Sequence, residues 1–279
     1  MQISDAIPEM ERELKFFPAD NTKQNILSTE QIDHYNINGF IFPLDVFDQK
    51  QINTISGYFE DMISKARKKG HDDYAINGWH RHCQGIYKLM MNPTILDYVC
   101  DIIGPNVLNL MTHLFFKDSG SNKQLSWHQD ASYWPLTPSK TITVWLALDD
   151  VAENNGAMQY IPGSHLHGQI PFKYSEASEN NVLDQTVKNP RAWGCKPVTV
   201  ALKAGQISIH SDLLLHGSKI NHSSFKRRGL TLRYMPPDVT TNDSQFARKR
   251  TAFLCRGQNI GGYWHLDEMP HGEKIPQLK

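Results

Sequence analysis

An α+β fold, mainly β, with helices packed outside a β-barrel or double-sheet jelly roll, is the architecture this sequence predicts. Three observations predict it. Helix start and stop signals crowd the first 105 residues, and from there to about residue 236 the chain breaks into short β-like runs punctuated by Gly, Pro, Asn and Asp. No internal repeat or low-complexity tract interrupts that order. Length agrees: 279 residues suit one large β-rich unit, so residues 1–279 are expected to form a single domain with a jelly-roll core at about 105–236.

Taken in order, Ser28-Thr29-Glu30-Gln31 carries a capping-box signature for a short helix that Asn38-Gly39 ends. Asp48 and Gln51 repeat the signature before a longer helix, with Ile52, Ile55, Phe59 and Ile63 on one face and Gly70 at its end. Asn92-Pro93 opens a third helix, which turns Ile95, Leu96, Val99 and Ile102 inward and stops at Gly104-Pro105. Val107–Phe116, Thr141–Ala147, Met158–Ile161, Pro197–Leu202, Gln206–His210 and Leu230–Tyr234 then read as strands. Residues 70–85, 164–193 and 257–279 lack a clear period. Each is a candidate cover for a pocket, with ordinary surface loop as the default.

Composition excludes several classes of function. Lysine plus arginine (29) equals aspartate plus glutamate (29), which leaves no basic footprint for nucleic acid and no polybasic patch for a membrane surface. Cys83, Cys100, Cys195 and Cys255 are scattered without a C-x-x-C pair, as expected of thiols in a reducing compartment. The first twenty residues lack an apolar h-region, and no apolar run nears the roughly 18 residues of a membrane span. The expectation is a cytoplasmic protein acting on a small molecule.

His128-Gln129-Asp130 is the chemically informative motif. On a strand, residues two apart project to the same side, so this histidine and aspartate can share one metal ion. A second histidine from elsewhere, His216, completes two imidazoles and a carboxylate, the facial set suited to non-haem Fe(II) with open positions opposite. Arg227 adds a planar cation matched to a dicarboxylate. The adjacent Arg228 must face the other way if both lie on a strand. The other histidines read as ordinary: His80, His82, His210 and His222 as surface or supporting groups. Lys117 reads as a solvated strand-end lysine, with reach into the active site as the alternative.

Around these residues the sequence resembles the phytanoyl-CoA dioxygenase family of Fe(II)/2-oxoglutarate oxygenases. The resemblance runs through Phe115-Phe116-Lys117, Ser126-Trp127-His128-Gln129-Asp130, Val144-Trp145-Leu146-Ala147-Leu148-Asp149-Asp150, Glu153-Asn154-Asn155-Gly156, Ile161-Pro162-Gly163-Ser164-His165 and His216-Gly217-Ser218 to Arg227, in family order over roughly 28–236. It implies a double-stranded β-helix with iron at its mouth. His128, Asp130 and His216 would be the ligands, Arg227 the partner of the far carboxylate of 2-oxoglutarate, and Ser218 and Trp145 further contacts to that co-substrate. His165 would be structural. Tyr133 and Trp134, just past the metal pair, are candidates for the substrate wall.

Fe(II), 2-oxoglutarate and O2 are the implied cofactors, and the small-molecule substrate is expected to be a polar metabolite or natural-product intermediate. Halogenating relatives carry a small residue at the carboxylate position. Asp130 therefore favours hydroxylation, with desaturation, ring closure or epoxidation as alternative outcomes. A jelly-roll binding protein with a vestigial metal site is a further alternative, although every matching position is filled. A zinc hydrolase on the same three residues leaves Arg227 and the flanking blocks unexplained.

Overall fold

The expected helices form where their caps place them, in a computed structural model that describes residues 2–72, 76–243 and 251–277. In α1 (Thr29–Asn38) the Ser28 hydroxyl accepts from the Gln31 backbone N–H, and the Gln31 side chain accepts in return from the Ser28 N–H. Gly39, at φ 84°, ends the helix. β1 (Phe40–Asp45) follows, and then α2 (Gln49–Lys68), opened by the same reciprocal pair between Asp48 and Gln51. A helix with no cap signal in the sequence, α3 (Gln84–Met90), precedes α4 (Pro93–Ile103), which Asn92 caps.

The strands are β2 (Val107–Lys117), β3 (Leu125–His128), β4 (Ile142–Ala147), β5 (Met158–Tyr160), β6 (Lys173–Tyr174) and β7 (Gln185–Thr186). They continue with β8 (Val198–Thr199), β9 (Gln206–Ser211), β10 (His216–Ser218), β11 (Arg227–Met235), β12 (Thr251–Arg256) and β13 (His265–Leu266). A large sheet runs β1-β9-β4-β11-β2-β12-β13, antiparallel except for the β12–β13 pair. A smaller antiparallel sheet runs β3-β10-β5-β8, and β6 pairs with β7. The result is a double-sheet, jelly-roll-like arrangement without a closed barrel.

Alternation along the large sheet separates its two faces. One face sends Leu114 and Phe116, Val144 and Leu146, Ile207 and Ile209, and Leu230 and Leu232 into a core shared with Phe59 of α2, Ile86 of α3 and Val99 of α4. The other face sends His113 and Phe115, Thr143 and Trp145, His210, and Arg227, Thr231 and Arg233 into a cavity. Helices cover one side of the sheet and the polar pocket occupies the other. No helix among the described residues is long and apolar enough to cross a membrane.

Some local expectations are corrected. The run expected over Pro197–Leu202 forms a strand only at Val198–Thr199. Of the three aperiodic segments, 70–85 contains buried Trp79 and His80 and places only Asn77 on the cavity, residues 73–75 lying outside the described set. In 164–193 the hairpin β6–β7 brings Val182 and Leu183 onto the cavity wall. None of the described residues of the C-terminal segment lines the cavity: Trp264 is buried against Leu108, Leu110 and Trp134, and its Nε1 donates to the Val239 carbonyl at 2.7 Å.

Candidate metal and co-substrate site

Small-sheet pairing builds the metal site. His128 ends β3 and lies directly opposite His216 of β10, with ring centroids 4.1 Å apart. Both Nδ1 atoms meet backbone carbonyls, His128 at Ser126 O (2.8 Å) and His216 at Leu214 O (2.9 Å). Donation there fixes the tautomer and leaves each Nε2 lone pair to face a ligand. Asp130 is not a strand residue. β3 stops at His128, and Asp130 opens a short 3-10 turn (Asp130–Tyr133). The carboxylate still reaches the imidazoles, with Oδ1 3.9 Å from His128 Nε2. Ligating atoms of the three residues lie within 4.8 Å of one another, close enough for one ion to draw all three in.

The charge states fit a divalent ion, which needs neutral imidazole and ionised carboxylate. Burial holds His128 below the usual histidine range and, with His128 and His210 beside it, holds His216 well below. Burial alone would raise Asp130, but Arg233 and the neighbouring histidines outweigh it and keep the carboxyl well below its ordinary value. Asp130 Oδ2 accepts from the Thr143 hydroxyl at 2.7 Å, which ties this loop to β4 of the large sheet.

The cationic end of the cavity comes from β11. Arg227, 2% exposed, donates through Nη2 to the Gly156 carbonyl at 2.7 Å and stands 5.5 Å over the Trp145 ring. Trp145 has room only because residue 229 is glycine, since a Cβ there would lie 1.9 Å from the indole. Arg228 points the opposite way, as alternation requires, and grips Asp149 with Nε and Nη2 at 2.9 and 2.6 Å. Lys117 corrects its sequence reading. It is buried at 1% exposure, and its Nζ donates to Ser218 Oγ at 2.8 Å and to the Lys219 carbonyl. Desolvation first, and then Arg227, push its pKa down to about 6.

All eight residues singled out from the sequence border one cavity of about 410 Å³: His128, Asp130, His216, Arg227, Ser218, Trp145, Tyr133 and Trp134. The edge of Tyr133 meets the His128 ring at 5.9 Å. Sequence reasoning missed Thr143 and Arg233; the even spacing of Arg233 from Arg227 was the available signal. His210, expected to be a surface or supporting group, proves buried, its Nε2 3.7 Å from Asp130 Oδ2 and its Nδ1 3.0 Å from the Tyr160 hydroxyl. His80 and His165 are buried away from the cavity, at Thr112 Oγ1 and the Asn36 carbonyl respectively.

Known proteins resemble this chain in sequence and in fold. The family profile described as phytanoyl-CoA dioxygenase (PhyH) matches residues 35–229. Peroxisomal phytanoyl-CoA dioxygenase of Rattus norvegicus is 26% identical over 243 residues, 77% of this chain and 70% of that one. A probable alpha-ketoglutarate-dependent hypophosphite dioxygenase of Stutzerimonas stutzeri is 28% identical over 170 residues, 57% and 56% of the two chains. Among solved structures, the non-heme monooxygenase ThoJ in its apo form superposes with a TM-score of 0.73 at 26% identity, covering 86% of this chain and 88% of that one.

Proposed function

We propose, from the premise that the chain belongs to the phytanoyl-CoA dioxygenase family, that it is an Fe(II)- and 2-oxoglutarate-dependent dioxygenase hydroxylating an unactivated C–H bond of a small polar metabolite or natural-product intermediate. His128, Asp130 and His216 hold the iron. Bound Fe(II) supplies the coupling of 2-oxoglutarate decarboxylation, to succinate and CO2, with oxidation of the substrate by O2.

The chain's own residues position and insulate. Arg227 and Ser218 take the far carboxylate of 2-oxoglutarate, with Trp145 as the wall beside it and Lys117 holding the Ser218 hydroxyl. Tyr133 and Trp134 wall the substrate part, and Val182 and Leu183 exclude water from above. The presence of Asp130 favours hydroxylation, because the carboxylate occupies the place a halide would need. The same reading takes 1–279 as one catalytic unit.

The observation that carries this reading is the shared cavity: two imidazoles offering Nε2, a carboxylate beside them, and a buried arginine on the same lining. Equilibrium dialysis with Fe(II) under nitrogen tests it directly. One ion per chain is expected for the native protein and loss of high-affinity binding for His216→Ala, with succinate release dropping to background. Undiminished iron binding by His216→Ala would sink the assignment. Product mass under labelled O2, with chloride present, separates hydroxylation from chlorination and from loss of two hydrogens.

A further inference from the structure

One charged group in the cavity is left unused by this reading. Arg233 is 6% exposed and lines the cavity from the same face of β11 as Arg227 and Thr231. Its Nη1 donates to Thr231 Oγ1 at 3.1 Å, and its guanidinium stands 5.1 Å over the Trp134 ring. Its Nε has no hydrogen-bond partner among the described residues. The nearest carboxylate oxygen to that Nε is Asp130 Oδ2 at 3.9 Å, an ion-pair distance and too long for a hydrogen bond.

Charge gives this arginine a purpose. Its one acidic neighbour among the described residues is Asp130, the same carboxylate that a bound ion would engage. Arg233 therefore has to share its counter-charge with the metal. A buried guanidinium that shares its counter-charge and holds an unused N–H is built to fork onto an oxyanion.

We infer that the substrate is an anion, a small molecule carrying a carboxylate or comparable oxyanion that Arg233 grips beside Trp134. The inference rests on the oxygenase reading above, and names the substrate class for that same site.

The test uses the full chain loaded with Fe(II) and saturating 2-oxoglutarate under nitrogen. The visible charge-transfer absorption of an Fe(II)–2-oxo acid chelate reports whether the site itself assembles. Short-chain, branched and aromatic carboxylates, each paired with its amide, are then titrated in by calorimetry. At least one acid is expected to bind tenfold or more tighter than its amide. Arg233→Gln should bring that ratio close to one with the absorption intact, and Arg233→Lys, which keeps the charge but not the fork, should retain only part of it. The inference is overturned if no acid outbinds its amide, or if the ratio is unchanged in whichever variant keeps the absorption. Loss of the absorption in both variants also overturns it, by making Arg233 a support of the metal site. A native protein that never develops the absorption fails at the oxygenase reading instead.

Discussion

Arg227 and Arg228 are neighbours in sequence with opposite tasks, and their variants should separate affinity from stability. On the proposed reading Arg227→Ala removes a charge-assisted, forked contact worth about 1.5–3 kcal/mol, so 2-oxoglutarate binding should weaken roughly tenfold to a hundredfold. Arg228→Ala strips Asp149 of a nearly buried two-point partner and should cost about 2–4 kcal/mol of folding stability while leaving 2-oxoglutarate affinity nearly unchanged. Titration calorimetry and urea unfolding of the two variants check both halves. Lys117 adds a pH signature. Its folded pKa of about 6 lies below the ordinary 10.5, so the folded state bears the cost of a buried charge in full below about 6. That cost fades as pH rises towards 10.5, and stability from this group therefore increases with pH across the window. Lys117→Met should flatten this part of the stability profile and stabilise the protein most at low pH. The proposed metal ligands were legible because their chemistry is written in residue type. Lys117 was not, because its burial is decided by Ser218 and the Lys219 carbonyl, about a hundred residues away.

Elements were legible in proportion to how local their causes are. The capping boxes at Ser28 and Asp48 and the Asn92-Pro93 start fixed three helices from sequence, since a cap satisfies its own backbone within three residues. α3 has no side-chain cap and owes its place to Ile86 and Met90 packing on the core, which no local signal announces. β3 and β10, four and three residues long, are too short to display a period, yet they carry both histidines of the proposed metal site. Their pairing is tertiary information. Within the large sheet, alternation explains why residue 229 is glycine, and Gly229→Ala tests that account. The added methyl meets the Trp145 indole at a distance no contact tolerates, so the tryptophan or the β4–β11 ladder must move. A loss of about 1–3 kcal/mol, with weakened 2-oxoglutarate binding as Trp145 shifts, is expected from thermal unfolding and calorimetry.

At the scale of the molecule, one apolar core joins Ala19 near the start, Ile86 and Val99 on the helices, and Cys255 on β12. That continuity underlies the proposal that 1–279 acts as a unit, which a single cooperative unfolding transition, coincident by fluorescence and circular dichroism, would bear out. The metal site, by contrast, lies between layers. His128 and His216 belong to the small sheet, and Asp130 is bonded to Thr143 of the large one. Ni(II), a redox-inert stand-in, together with 2-oxoglutarate should therefore raise the thermal midpoint by several degrees, about 2.7 kcal/mol at a hundred times Kd, and the His216→Ala protein should gain none of it. β11 has a last consequence. Arg227 and Arg233 sit six residues apart on one face of an unbroken ladder with β2, a span of about 20 Å between Cα atoms. The strand is a ruler graduated in steps of two residues, and a change of one residue would turn both arginines to the helix side. A relative that evolves towards longer or shorter substrates cannot adjust the interval gradually. Its scope for variation lies in the connection between β6 and β7, where Val182 and Leu183 stand outside the paired residues and have no such register to respect.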